Sequence, residues 1–352
     1  MSRYWSKLLN RLTPYVPGEQ PGQAQLNKLN TNECPYDPSP AVMAAIAATP
    51  ASALRLYPDP DSCALRQAFA DMNHLTAQQV FLGNGSDEVL AHVFQALLSH
   101  GKPVCFPDVS YSFYPVWCDL YQLAHEAVPV AEDFTVDINA YPLDNGGIII
   151  PNPNAPTGIL LGLDAIRELL ESNSESVVVI DEAYIDFGGE SAVGLIDLYD
   201  NLLVVQTVSK SRALAGLRVG VAMGHRDLIA GLERLKNSFN SYPLDILAQN
   251  AALASLQDVE YFEETCAKVV ASRERLTSAL EAIGFVVLPS SANFIFATHP
   301  ERDARDLFDS LRVKNILVRY FNKPRIEHFL RISIGTEQQC DEILQAFGEL
   351  LS

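Results

Sequence analysis

Short, unbroken apolar runs punctuate the first two-thirds of the chain, and each gives way to a polar or glycine-bearing turn. Val80-Phe81-Leu82, Val104-Cys105-Phe106, Ile148 to Ile150, Val177 to Ile180 and Leu202 to Val205 are runs of this kind. Without alternation, they predict strands buried on both faces of a parallel sheet, whose ligands bind beyond the carboxyl edge. Helical segments precede the first of them, at Pro40 to Ala48 and Ser62 to Ala70, and a stripe of Leu90, Val93, Phe94 and Leu97 falls between the first two. At the start, Trp5, Leu8, Leu9 and Leu12 follow an i, i+3, i+4, i+7 spacing, which predicts a short amphipathic helix closed before Pro14.

After Arg218 the rhythm changes. Helices are predicted over Asp227 to Phe239, Val259 to Ile283, Ala304 to Val313 and Glu337 to Leu350, with Ser241 to Leu244 as a break. Short strands are predicted at Phe285 to Leu288, Asn293 to Ala297, Ile316 to Arg319 and Leu330 to Ile334. Strands and helices mix here without βα alternation, so a separate α+β domain is expected. The fold class is α/β: a large domain over 49–240 with a mostly parallel central sheet flanked by helices, and a smaller α+β domain over 241–352. The N-terminal segment, 1–48, is expected to pack on the small domain.

Candidate chemistry sits where the strands end. Lys210 follows the run Leu202 to Val205 in a polar turn with Ser209 and Ser211, and small residues then lead to Arg218. A lysine among apolar strand neighbours is partly desolvated, which frees its amine for attack on a carbonyl. Taken alone, such a lysine is more often a solvated loop residue. Asp181 closes the run Val177 to Ile180, and a carboxylate there can keep a ring nitrogen protonated. Gly83 and Gly85 allow close backbone approach, Ser86 reads as an N-cap, and the helix start suits a phosphate. Arg319 and Arg331 stand among apolar strand residues, where an unpaired charge is costly, so each either faces solvent or holds an anion.

The segments VVVIDEAYIDF and TVSKSRALAGLRVG resemble the fold-type I, pyridoxal-phosphate-dependent aminotransferases, and within them the histidinol-phosphate group. The resemblance covers nearly the whole chain. It implies pyridoxal 5′-phosphate as cofactor, with Lys210 as its Schiff-base lysine and proton carrier and Asp181 on the ring nitrogen. Gly85, Ser86, Asp87, Ser209 and Arg218 would hold the cofactor phosphate, and Tyr111 would stack on the ring. Many members carry Asn directly before Pro-Thr-Gly as a donor to the ring oxygen, whereas this chain has Ala155. Either Asn154 takes over or that bond is lost; Asn154 is the expectation, with Tyr184 as the second candidate. Tyr57 is implied to reach the cofactor phosphate of a neighbouring subunit, hence a homodimer with shared active sites.

Tyr15, Asn32, Arg319 and Arg331 are implied to meet substrate. The implied reaction is histidinol phosphate plus 2-oxoglutarate giving imidazole-acetol phosphate plus glutamate, so the partners are a small amine and a 2-oxo acid. Relatives of the same skeleton act on phenylalanine or tyrosine, and others decarboxylate phosphothreonine. A non-catalytic regulator built on this domain would need a DNA-binding module, and no basic recognition helix is present.

Charge and cysteine usage narrow the rest. Lys and Arg number 25 against 43 Asp and Glu, a formal charge of −18 with no basic cluster, which argues against nucleic acid and anionic membranes. Phosphates must then be held locally, by helix starts, placed arginines and main-chain N–H groups. The 6 cysteines form no CxxC and no metal-ligand spacing with histidines, so free thiols in a reducing cytoplasm are expected. No apolar run has membrane-spanning length, and a soluble cytoplasmic protein is the expectation.

Overall fold

A computed structural model describes residues 2–20 and 26–351. In chain order its strands are β1 (Asn27–Lys28), β2 (Val80–Asn84), β3 (Val104–Pro107), β4 (His125–Val128), β5 (Gly147–Pro151), β6 (Val178–Asp181) and β7 (Leu202–Thr207). Then come β8 (Val219–Gly224), β9 (Val286–Val287), β10 (Phe294–Thr298), β11 (Ile316–Leu317), β12 (Arg319–Tyr320) and β13 (Leu330–Ser333).

Seven strands form one sheet in the order β2-β8-β7-β6-β5-β3-β4. Pairings from β7 through to β4 are parallel, and β8 runs antiparallel to both neighbours. Helices cover both faces. Ile148, Ile150, Val178, Ile180 and Val204 point to one core, whereas Ile149, Val179, Leu203 and Val205 point to the other. That period of two inside unbroken apolar runs explains the sequence pattern, since both faces are buried.

The second body is the antiparallel sheet β12-β13-β10-β9, covered by helices Val259–Ala282, Ala304–Val313 and Glu337–Leu351. Residues 27–33 join it: β1 pairs in parallel with β11, and Leu29 is buried in that core. The helix Pro40–Ala48 does not. It packs on helix Ile246–Gln257, whose Ala248, Ala251, Ala252 and Leu256 belong to the core of the large sheet, as does Leu244 of the break. Alanine-rich faces let these two helices approach closely against the large-sheet core.

Two local expectations are corrected. Residues 2–12 form turns, with Trp5 N–H donating to the Ser2 carbonyl and Arg11 N–H to that of Leu8, and no helix. Tyr4, Trp5 and Leu9 stay exposed, and a stretch this short without a packed face does not offset the cost of helix nucleation. Ser86 is not an N-cap but lies within the helix Gly85–Ala96. Glu88 caps it instead, accepting from Asn84 N–H at 2.6 Å.

Candidate active site

Strands β2, β3, β5, β6 and β7 direct their carboxyl ends to one edge of the large sheet. A cavity opens there, closed on the far side by the second body and by residues 15–20 and 30–32. Asp181 is the last residue of β6, and Lys210 lies in the turn after β7. Both line the cavity.

Asp181 is buried. Tyr114, itself buried, donates to its Oδ2 at 2.8 Å, while Oδ1 has no partner. Burial pushes the carboxyl up to about 6, with the Tyr114 bond working the other way. An unpartnered carboxylate oxygen at the bottom of a polar cavity calls for a cationic donor. Lys210 reaches away from the sheet: its Nζ donates to the Thr31 carbonyl at 3.0 Å and lies 5.7 Å from the centre of the Tyr184 ring.

The edge beside β8 is built for an anion. Arg218 sits in the left-handed region at φ 54°, immediately before β8, and pairs with Asp87 Oδ2 at 2.9 Å. Asp87 Oδ1 accepts from the Tyr111 hydroxyl at 3.0 Å. Gly85, at φ 79°, lies against the Arg218 guanidinium; a Cβ there would come within 2.4 Å of its Nη2. Gly220 is equally constrained, since a Cβ would meet Ser86 N and the Gly85 carbonyl carbon at 2.4 Å. These two glycines let the helix start, the arginine and the strand crowd together. Ser209 is held from below: its N–H donates to Thr207 Oγ1 at 3.2 Å.

The opposite wall carries two arginines. Arg319 of β12 and Arg331 of β13 are cross-strand partners in register, so two guanidiniums stand side by side at the cavity. Arg331 Nη2 donates to the Asn30 carbonyl at 2.8 Å, its Nε is buried without a partner, and its guanidinium lies between Phe294 and Phe321. Burial, and to a smaller extent Arg319 alongside, push Arg331 down from its ordinary value. Like charges facing each other on one sheet are destabilising unless something negative joins them. Among the described residues neither arginine has a carboxylate partner.

Residues 24–347 match the family described as aminotransferase class I and II. The chain belongs to that family. A histidinol-phosphate aminotransferase of Pseudomonas putida is 59% identical, covering 99% of this chain and 100% of its own. Histidinol-phosphate aminotransferase 2 of Dechloromonas aromatica is 58% identical over 99% of each. A solved histidinol-phosphate aminotransferase from Sinorhizobium meliloti, in complex with pyridoxal-5′-phosphate, superposes with a TM-score of 0.90 at 24% identity over 100% of this chain and 98% of that one. This aminotransferase therefore works with pyridoxal 5′-phosphate. Its residues fit that group, since the orphan oxygen of Asp181 suits a protonated ring nitrogen and the Arg218 guanidinium beside the helix start suits a phosphate.

The aminotransferase cavity brings together Tyr15, Asn32, Ser86, Asp87 and Tyr111, and with them Asp181, Tyr184, Ser209, Lys210, Arg218, Arg319 and Arg331. Three expected residues do not line it, and the first, Gly85, lies at the helix start against the Arg218 guanidinium. Tyr57 is exposed and stacks on Tyr242 with ring centres 4.6 Å apart, outside its own chain's cavity. Asn154 is buried, its amide donates to the Val109 carbonyl at 2.9 Å, and the side chain lining the cavity is that of Ala155. The turn between Pro153 and Pro156 decides which of the two faces inward.

Sequence reasoning missed Tyr114, Thr207, Phe321 and the Thr31 carbonyl. Tyr114 stands in the sequence beside Tyr111, Phe113 and Trp117, a cluster with the composition of ordinary core. A backbone carbonyl leaves no signal in side-chain identity.

Proposed function

We propose that the protein converts histidinol phosphate and 2-oxoglutarate to imidazole-acetol phosphate and glutamate, as a cytoplasmic homodimer. The observation that carries this reading is the in-register pair Arg319 and Arg331, without carboxylate partners among the described residues, across the cavity from Lys210 and Asp181. Forked guanidinium donors match a phosphate in one half-reaction and a carboxylate in the other. Tyr15, stacked on Phe113 at 4.8 Å, offers a flat surface to the imidazole. The names of the full-length relatives point to the same substrate.

When bound, pyridoxal phosphate supplies an electron sink for the carbon that carries the substrate amine. Asp181 keeps the ring nitrogen protonated, with Tyr114 fixing its other oxygen. Lys210 Nζ removes the proton from the amine-bearing carbon and returns it on the other side of the transfer. Ser209, Arg218 and the helix start at Ser86 and Asp87 hold the cofactor phosphate. Tyr111, tied to Asp87, presents its ring face. Tyr57 and Tyr242, exposed beside Leu54, Leu56 and Phe239, support a dimer in which Tyr57 reaches the neighbouring site. Six free thiols suit a reducing compartment.

The test is the visible spectrum of the purified holoenzyme, with histidinol phosphate added and no keto acid. Loss of the visible band at low substrate concentration, with phenylalanine and tyrosine acting sluggishly, supports the reading. If an aromatic amino acid discharges the band and histidinol phosphate does not, the substrate assignment falls and an aromatic aminotransferase replaces it.

A further inference from the structure

Behind Tyr184 lies a buried chain of polar contacts for which the proposed function gives no role. Asn32, fully buried and at φ 56°, donates from Nδ2 to the Tyr184 hydroxyl oxygen at 3.1 Å. Its orientation is fixed from the other end. The Ser333 hydroxyl accepts from Asn32 N–H at 2.9 Å and therefore has its own proton free, which it donates to Asn32 Oδ1 at 2.8 Å. With the amide oxygen committed to Ser333, the amide NH₂ faces Tyr184. Asn293 braces the same residue, its Nδ2 donating to the Asn32 carbonyl at 3.0 Å. A phenol that receives a hydrogen bond keeps its single proton for another acceptor. Among the described residues Tyr184 donates to none, and it lines the cavity.

Ala155, which belongs to the cluster that Tyr184 packs against and also lines the cavity, has no donor to offer. Tyr184 is thus the side chain left to meet the ring oxygen of the cofactor. We propose that Asn32 is a positioning residue, which holds the Tyr184 hydroxyl as an acceptor so that its proton is aimed into the cavity at the ring oxygen. The reverse amide orientation would turn that proton back toward Asn32. The proposal rests on Tyr184 serving the ring oxygen, and the experiment separates the two claims.

A donor to that ionised oxygen withdraws charge from the ring and makes the nitrogen joining Lys210 to the cofactor less basic. The readout is the pH midpoint of the holoenzyme's visible band. Tyr184→Phe should raise it by about one pH unit, the scale of one lost hydrogen bond to an ionised oxygen. Asn32→Gly, which tolerates the positive φ and adds no charge, should raise it by a similar amount. In the Tyr184→Phe background it should add nothing, because both changes remove the same contact. Asn32→Asp, which also tolerates the backbone, accepts where the amide donated. It should raise the midpoint more in the parent chain than in the Tyr184→Phe background, and it decides the matter if the glycine variant does not fold.

If Tyr184→Phe raises the midpoint and the Asn32 variants do not, or if the effects add in full, the positioning role is overturned. An unmoved midpoint in Tyr184→Phe overturns the ring-oxygen reading as well.

Discussion

The two walls of the cavity are built on different principles. On the large-sheet side, Asp181, Ser209 and Lys210 follow directly from the ends of buried parallel strands, and Arg218 precedes the strand that closes the set. Their positions are set by a core packed on both faces. On the other side, Tyr15, Asn32, Arg319 and Arg331 come from three separated stretches. Contacts such as Arg331 to the Asn30 carbonyl, Asn32 to Ser333 and Asn293 to the Asn32 carbonyl join them. The first wall is a property of the sheet and the second of a hydrogen-bond network, so damage to the first should stop chemistry and damage to the second should alter fit.

The sharpest way to break that contrast is Lys210→Ala. Nucleophile and proton carrier disappear together, so turnover should fall by more than about 10⁴-fold and the cofactor's lysine-bound absorption should vanish with it. Single-turnover rates check this. Turnover near the parent level would remove Lys210 from the mechanism.

Asp181→Asn comes next and separates function from stability. Losing the carboxylate proposed to keep the ring nitrogen charged should slow proton abstraction by about 10²–10³-fold while cofactor remains bound. A loss of only a few-fold would mean that the ring nitrogen does not need this charge.

In the cofactor-free protein the same carboxyl acts against stability. Its folded-state value is raised to about 6 from the ordinary 3.8. Between those values the folded state binds a proton that the unfolded chain releases, so stability falls as pH rises through the window. A shift of that size corresponds to about 3 kcal/mol. Glu182 next to it, raised to about 7, adds in the same direction. Urea unfolding of the cofactor-free protein should therefore show stability declining from pH 4 to pH 7, and Asp181→Asn should flatten part of that decline. A stability that rises with pH over this range would contradict the burial argument. Glu182 should not behave like Asp181 on substitution, because its oxygens accept from Ser191, the Ala192 N–H and Gln206, and only Gln206 has a second acceptor, Ser191 Oγ at 3.3 Å.

What the sequence discloses follows the same division. Apolar runs ending at Asp181 and before Lys210 mark the first wall, because strand burial leaves a period and a boundary that can be counted. Arg319 and Arg331 showed in the sequence as charges among apolar strand residues, which left solvent and anion open, and only the family resemblance pointed them at substrate. Thr31 holds Lys210 with a main-chain carbonyl, and no residue choice announces that. Tyr114 supports Asp181 but stands in an aromatic cluster with every mark of ordinary core. Asn154 and Ala155 differ by one residue in a turn between two prolines, a choice local propensity does not make. The stripe from Trp5 to Leu12 has a helical spacing but no packed surface, and spacing alone did not make a helix.

Arg331→Lys is the gentlest of these tests and the one aimed at the second wall. Lysine keeps the charge but loses the planar fork, so the Asn30 carbonyl and the incoming anion can no longer both be served in fixed geometry. Losing about one hydrogen bond to a charged group corresponds to ~1.5–3 kcal/mol. The loss in kcat/KM should therefore be roughly 10- to 100-fold, carried mainly by KM. Because the proposed function has Arg331 meet the substrate anion in both half-reactions, the rise in KM should appear for the phosphate substrate and for 2-oxoglutarate alike. Arg319→Lys should act in the same sense but more weakly, since Arg319 is more exposed and its contact to the Val16 carbonyl is long at 3.5 Å. If Arg331→Lys instead lowered kcat with KM unchanged, this arginine would belong with the chemistry of the first wall and the division between the two would not hold.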